Sequence, residues 1–378
     1  MRFTFIPLAV ALAFAGSAGA QEIIKIGHVA PVSGPSAHLG KDNENGAKMA
    51  IDDLNAKGIK IDGKPVKFVL QLEDDGGDPK QGTAVAQKLV DAKVNGVIGH
   101  LNSGTTIPAS RIYYDAGIPE ISPATTQTKY TQQGFNSAFR VVANDAKLGG
   151  TLGAYAVGKM GAKKIAVIDD RTAYGQGVAE EFVKGAKKAM PGVQIVAKEF
   201  TTDKSTDFNA ILTTIKAKNP DVVFFGGMDS VGGPLLRQMK ALGINARFMG
   251  GDGVCTESLP KLAGTAAANG VVTCAEAGGV SGEQQKGMDD FVARYKKKYN
   301  DDVKLYAPYV YDAVMTMGTA MQQANSAQPA KYLPVLQKIK YQGVTGLITF
   351  DSKGDIKDGA LTLFTYTDGK KTKIEVVK

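Results

Sequence analysis

The stretch KIAVIDDRTAYGQGVAEEFVKGAKKAMPGVQIVAKE, residues 164–199, decides the fold. Lys164 to Ile168 is a short apolar run ending at Asp169-Asp170, and reads as a buried strand. Gly177 to Ala189 reads as a helix and Val193 to Glu199 as a second strand. The unit then repeats, with Phe208 to Lys218 helical and Val222 to Gly226 a strand. Leu235 to Leu242 and Arg247 to Gly250 supply another helix and a short strand. Strands joined through helices lie parallel, and their sheet needs helices on both faces.

The same rhythm occupies the N-terminal side. Ile23 to Gly27 reads as a strand, and Gly40 to Lys57 as a helix with Ala47, Ala50, Ile51 and Leu54 on one face. Val66 to Leu72 is a strand, and Pro79 to Lys93 a helix with proline in its first turn. Val97 to Gly99, Thr105 to Ala116 and Ile118 to Ile121 complete a strand, a helix and a strand. Two comparable α/β stretches result, 23–141 and 164–274. Beyond them Glu283 to Lys298, Tyr306 to Ala324 and Tyr332 to Ile339 read as helices. Leu347 to Asp351 and Leu361 to Thr367 read as β-structure, with Asp368-Gly369 as a turn. These strands are too few for a third domain and are expected to complete the two sheets. The chain must then pass between the lobes more than once, which makes a multi-strand hinge.

The first twenty residues carry a different signal. Arg2 precedes an apolar run from Phe3 to Phe14, and small residues end in Ala18-Gly19-Ala20 before Gln21. This is the pattern of a secretory signal peptide cut after Ala20, and the run is too short to cross a bilayer core of ~30 Å. Hydrophobic residues make up 43% and charged ones 22% of the 378 residues, ordinary values for a globular chain. The net charge of +8 is scattered, with local clusters only at Lys296-Lys297-Lys298 and Lys370-Lys371 with Lys373. No basic stripe with base-reading groups appears, so nucleic acid is not expected as a partner. In an oxidising compartment the sparse pair Cys255 and Cys274 reads as one disulfide, the alternative being two buried thiols.

In open α/β sheets ligands bind beyond the carboxyl ends of the strands, so the loops after strands matter most. His100-Leu101-Asn102-Ser103-Gly104-Thr105-Thr106 leads into a helix. Hydroxyls and free N–H groups at a helix N-terminus favour a carboxylate, although Ser103 or Thr105 could simply cap the helix. Ser122-Pro123-Ala124-Thr125-Thr126 is a second hydroxyl-bearing loop at the same sheet edge. From the other lobe come Asp169 through Gly177 with Tyr174, Gly227-Met228-Asp229-Ser230, and Gly250-Gly251-Asp252-Gly253. Asp252 could pair with an ammonium group or serve only as a turn residue. Together the loops offer donors on one side and a carboxylate on the other, which complements a zwitterion.

Enzyme chemistry lacks its parts. His28, His38 and His100 have no evident nucleophile partner, and neither a phosphate loop nor a G-x-S-x-G elbow occurs. Glu180 stands where a dinucleotide fingerprint at Gly175-Gln176-Gly177 needs its third glycine. Asp74, Asp75 and Asp78 surround Gly76-Gly77 and precede Pro79, a turn pattern rather than a metal loop. No cofactor and no metal is expected.

The segments Ser33-Gly34-Pro35, Asp74-Asp75 through Asp78-Pro79-Lys80-Gln81, Val97 to Ser103 with Pro108-Ala109-Ser110, Ile121 to Thr126, and Tyr174 to Gly177 form a colinear set. This set resembles the periplasmic branched-chain amino-acid-binding proteins of ABC transporters, over essentially the whole chain after residue 20. The resemblance implies a type I periplasmic-binding-protein fold: two Rossmann-like lobes with parallel-rich sheets, joined by a three-crossover hinge. The lobes are expected at 21–142 with 276–358 and at 143–275 with 359–378. It also implies a monomer that binds an amino acid and meets a membrane permease. Ser103, Ala124 and Thr126 would hold the ligand's carboxylate and ammonium, with Asn102 beside them. Tyr174 would close from the second lobe, Asp252 would pair with the ammonium, and Leu39 and Tyr306 would enclose the side chain. Three positions depart from the family: Asp252 replaces a glutamate, Met228 a tyrosine, and Leu39 an aromatic residue. Such changes leave room for a different ligand of the same fold, such as an amide, urea or an aromatic acid, or for a sensory role.

Overall fold

A computed structural model describes residues 21–280 and 282–377 of the protein; the segment read as a signal peptide, 1–20, lies outside the described residues. The chain begins with β1 (Glu22–Ala30), α1 (Ala37–Ala56), β2 (Lys60–Ile61), β3 (Lys64–Asp74), α2 (Pro79–Asp91), β4 (Gly96–Ile98), α3 (Ser103–Asp115), β5 (Glu120–Ser122) and β6 (Ala138–Arg140). These strands form one sheet in the order β2-β3-β1-β4-β5-β6. All its pairings are parallel except the β2–β3 hairpin.

The second lobe follows with α4 (Asp145–Gly158), β7 (Lys164–Asp169), α5 (Ala173–Ala189), β8 (Gln194–Phe200), α6 (Asn209–Lys218), β9 (Val222–Gly226), α7 (Asp229–Ala241), β10 (Arg247–Gly250), α8 (Leu259–Ala263), α9 (Thr265–Ala268) and β11 (Val272–Glu276). The chain continues through α10 (Glu283–Tyr299), α11 (Ala307–Gln323), α12 (Pro329–Leu336), β12 (Tyr341–Gln342), β13 (Leu347–Ile348), β14 (Leu361–Thr367) and β15 (Lys370–Val377). The second sheet has the order β15-β14-β11-β10-β9-β7-β8, parallel from β11 to β8 and antiparallel at β14 and β15.

Local sequence explains the tightest packing. In α4 the run Gly149-Gly150 with Gly153 removes side chains where α5 crosses. A Cβ on Gly153 would lie 2.2 Å from the Phe182 carbonyl oxygen, so the two backbones nearly touch. α11 is buried along most of its length, because α1 covers one side and the first sheet another. One apolar cluster runs through both lobes and includes Leu39, Ala124, Tyr174, Met228 and Tyr306. Each fully buried large aliphatic or aromatic side chain in it contributes roughly 1.5–3 kcal/mol relative to exposure. No helix among the described residues is long and apolar enough to cross a membrane.

The chain passes between the sheets after β6, after β11 and before β14. The crossings lie side by side. Ala143 N donates to Ala277 O at 3.2 Å, and Thr362 Oγ1 to Gly278 O at 2.9 Å. One expectation fails: the terminal β-structure does not complete both sheets. β14 and β15 both join the second, while Leu347–Ile348 pairs only with β12 in a separate ribbon. Asp312 of α11 accounts for this, since it accepts from the amides of Val344 and Thr345 and holds that ribbon against the helix. Cys255 and Cys274 form a disulfide with Cα atoms 5.3 Å apart, which ties the turn after β10 to β11.

Candidate functional site

The first wall of the cleft is built from the loops after β4 and β5. At Gly99 the backbone has φ +143°, and a Cβ would stand 2.5 Å from Val29 O, so only glycine lets the chain turn past β1. His100 then enters the interior. Its Nδ1 lies 2.7 Å from Asp75 Oδ2 and its Nε2 3.1 Å from the Tyr113 hydroxyl. Burial disfavours the Asp75 charge, but the His100 contact outweighs it and holds the carboxyl below its usual range. Ser122 Oγ donates to His100 O at 2.9 Å and accepts from Thr125 N at 3.0 Å, which joins the two loops.

Arg140 locks the second loop from beneath. Fully buried, it donates to Thr125 O at 2.9 Å, to Gln127 O at 3.1 Å and to Thr131 Oγ1 at 2.8 Å, and pairs with Asp355 at 2.5 Å. Asn102 is the N-cap of α3 but makes no side-chain cap bond; its carbonyl instead accepts the Thr105 and Thr106 amides. Simple capping by Ser103 or Thr105 therefore does not explain this loop. Ser103 opens the helix, where the first amides have no partner within the helix, and its Oγ accepts from Gln127 N at 3.4 Å.

The second wall centres on Asp252, in a tight helical turn after β10 and 1% exposed. Tyr174 lies in the first turn of α5, which begins four residues earlier than its pattern predicts, so the ring is held by a helix rather than a flexible loop. The Tyr174 hydroxyl donates to Asp252 Oδ1 at 2.8 Å and accepts from Gly253 N at 2.9 Å. The Tyr306 hydroxyl donates to Asp252 Oδ2 at 2.8 Å. Burial pushes the Asp252 carboxyl up to about 6, against the pull of the two tyrosine hydroxyls. Tyr306 itself is fixed from the first lobe. Asp42 of α1 accepts from the amides of Tyr306 and Ala307 at 2.8 and 2.9 Å.

Between the walls lies a cavity of about 450 Å³, bounded by Asn102 and Ser103 on one side and by Tyr174 and Met228 on the other. Asp252 and Tyr306 lie behind it, joined to it through Tyr174. Thr126 is also behind it and fully buried, its carbonyl accepting from Asp145 N at 2.7 Å. Leu39 and Ala124 are buried in the shared apolar cluster, and Leu39 has no surface facing the cavity. A second polar contact joins the lobes: His38 Nε2 lies 2.9 Å from Asp229 Oδ2, which also accepts from Thr256 Oγ1 at 2.6 Å. The sequence pattern missed the His38–Asp229 contact and the Arg140–Asp355 pair, because the partners are far apart along the chain. The arrangement is one for holding a polar molecule.

The periplasmic binding protein family profile matches residues 23–371. The chain belongs to this family. It is 35% identical to Leu/Ile/Val-binding protein homolog 1 of Brucella abortus, over 100% of this chain and 98% of the relative. It is 36% identical to the leucine-specific-binding protein of Salmonella typhimurium, over 98% of each chain. Among solved structures it matches the branched-chain amino acid transporter substrate binding protein LivJ of Streptococcus pneumoniae, in complex with isoleucine. The TM-score is 0.84 at 29% identity, covering 94% of this chain and 99% of that one. The fold is thus that of a type I periplasmic binding protein, with a cavity lying between Ser103 and Tyr174.

Proposed function

We propose that the protein is an extracytoplasmic solute-binding protein that captures a small neutral amino acid, with branched-chain residues first among candidates. It delivers that ligand to an ABC permease, and it acts as a monomer without catalysis. The observation that carries this reading is the Asp252 carboxylate. It is buried just behind the cavity and held there by hydroxyls from both lobes. An ammonium group suits Asp252, and a carboxylate suits the amides at the start of α3 together with Ser103 and Thr126. Ala124 and Asn102 complete that edge, and Met228 shapes the room for the side chain, with Leu39 and Tyr306 packed behind the cavity lining.

Capture proceeds by hinge closure. The ligand docks on the loops at 97–126, and the lobe carrying Tyr174, Met228 and Asp252 then closes over it and excludes water. In this reading the lobes divide near 142, 275 and 358, as expected from the sequence. Residues 1–20 serve as the export signal in this reading.

Calorimetric titration of the purified protein with L-leucine, L-isoleucine, L-valine, L-alanine, an aliphatic amide, urea and benzoate tests the proposal. Binding of at least one zwitterion, and its loss by about a hundredfold or more in Asp252→Ala, is the expected result. Binding of urea, amide or benzoate alone overturns the amino-acid reading.

A further inference from the structure

A second cavity, of about 490 Å³, opens against the three crossings between the sheets. Val141 borders it on the first crossing, residues 277–279 on the second and residues 356–360 on the third. From one side α4 contributes Lys147. From the other, α10 contributes Gln284, α11 contributes Tyr309, and the ribbon of β12 and β13 contributes residues 345–347. No residue borders both this cavity and the one between Ser103 and Tyr174. The volume falls in the range of roughly 300–1,000 Å³ that small-molecule sites occupy.

The lining has two characters. Val141, Leu347 and Ile356 give it an apolar patch. Lys147 and Lys357 bring two ammonium groups against a single acid, Asp358, among the described lining residues, and this balance favours an anion. Tyr309 is 5% exposed, and among the described residues its hydroxyl makes no hydrogen bond. That hydroxyl rests on the backbone of the second crossing, where a Cβ on Gly278 would collide with it. α11 thereby brings an unused donor to the hinge. A molecule of complementary build carries one carboxylate and a short apolar tail.

The walls of this cavity come from segments on both sides of the crossings, so their spacing changes when the hinge bends. In this structure the lobes touch across the cleft. His38 Nε2 lies 2.9 Å from Asp229 Oδ2, and the Tyr306 hydroxyl 2.8 Å from Asp252 Oδ2. The cavity therefore has the shape that belongs to lobes in contact. A molecule that fits this shape better than the open one shifts the hinge toward closure by its difference in affinity.

We infer that the hinge cavity is a second binding site, for a small monocarboxylate with an apolar tail, and that its occupation favours closure of the cleft. Lys147 and Lys357 hold the carboxylate, the Tyr309 hydroxyl donates to it, and Val141, Leu347 and Ile356 cover the tail. The two sites are coupled, and the coupling is reciprocal. The coupling rests on the amino-acid reading above; the hinge site itself does not.

The test is calorimetry with hexanoate, hexan-1-ol and L-leucine. It compares the wild-type protein with the double variant Lys147→Gln and Lys357→Gln, with Tyr309→Phe and with Asp252→Ala, and thermal melts check that each variant folds. Wild type and Asp252→Ala should bind hexanoate alike, and hexan-1-ol at least about tenfold more weakly. The lysine double variant should lose about tenfold or more in hexanoate affinity, and Tyr309→Phe about threefold, while both keep wild-type affinity for L-leucine alone. Saturating hexanoate should tighten L-leucine binding about fivefold in the wild type and leave it unchanged in the double variant. Absence of hexanoate binding by the wild type would overturn the inference. So would hexanoate binding that is lost in Asp252→Ala and kept in the double variant, which would put the molecule in the cleft. Equal affinity for hexan-1-ol would overturn the carboxylate chemistry, and L-leucine affinity unchanged or lowered by hexanoate would overturn the coupling. If the wild type binds no amino acid, the reading of the cleft fails, while the hexanoate titrations still decide the hinge site.

Discussion

The loops of the first-lobe wall brace one another, although Asn102 Oδ1 and Thr126 Oγ1 are left without partners. Ser122 and Thr125 bond to each other and to the His100 backbone, and Arg140 holds the carbonyls of Thr125 and Gln127. The opposite side and the hinge leave acceptors over: Oδ1 of Asp229, Oδ2 of Asp170 and both oxygens of Asp145. The braces differ as well. Arg140 and Asp355 secure the loops of the first lobe noncovalently, whereas the disulfide secures the turn after Asp252 in the second. One wall has its loops braced in place before a ligand arrives. The other is completed by closure, by the ligand, or by both.

Breaking the first brace should have the largest effect. Arg140→Met strands the partly exposed Asp355 and frees two loop carbonyls, and is expected to cost about 3–5 kcal/mol of unfolding free energy in urea titrations. Ligand affinity should fall with it, because Thr126 and Ser103 lose their fixed positions. Breaking the second brace with Cys255→Ala and Cys274→Ala should cost roughly 3 kcal/mol for a loop of this length. Affinity should change less, since Asp252 keeps both tyrosine partners. Equal losses of affinity in the two experiments would deny that the walls differ.

How much of this was legible in the sequence follows from the range of the interactions. The alternation of strand and helix is local, and it placed the central strands of both sheets but not β2, β6, β11 or β15. The ribbon at Leu347–Ile348 was misjudged because its fate depends on Asp312, over thirty residues away. Ser103, Tyr174 and Met228, which line the cavity, and Asp252 behind it were singled out because loops at strand ends are local features too. The partner that fixes Tyr306 is Asp42, and the partner of His38 is Asp229, contacts between distant segments that no local pattern records.

The pH dependence of Asp252 sharpens the contrast between the two walls. Its carboxyl titrates near 6 in the folded protein, above the usual 3.8. Between those values the unfolded chain has lost the proton that the folded one keeps, so ligand-free stability falls as pH rises through this window. An ammonium ligand requires the ionised form, so affinity should fall up to tenfold for each pH unit below 6. Ligand-free stability and ligand affinity thus move in opposite directions between pH 4 and 6. Thermal melts and titrations over this range check both signs, and parallel trends would place the ammonium elsewhere.

The smallest expected effect concerns the contact between His38 and Asp229. Burial opposes a charge on His38, but the hydrogen bond and charge of Asp229 outweigh it, so its pKa lies above the ordinary 6.5. Lys304 weakens this shift and Asp42 adds to it. In an open molecule the lobes separate and His38 returns toward its ordinary value. Closure therefore binds a proton: its stabilisation is full below 6.5 and is lost as pH rises through the raised value. His38→Gln keeps a donor but no charge, and should weaken ligand binding by about 1 kcal/mol near pH 6 and by almost nothing at pH 9. Calorimetry at the two pH values reads the difference. An equal loss at both would make the contact a neutral hydrogen bond, and the polar groups left over on the second wall would then owe their completion to the ligand alone.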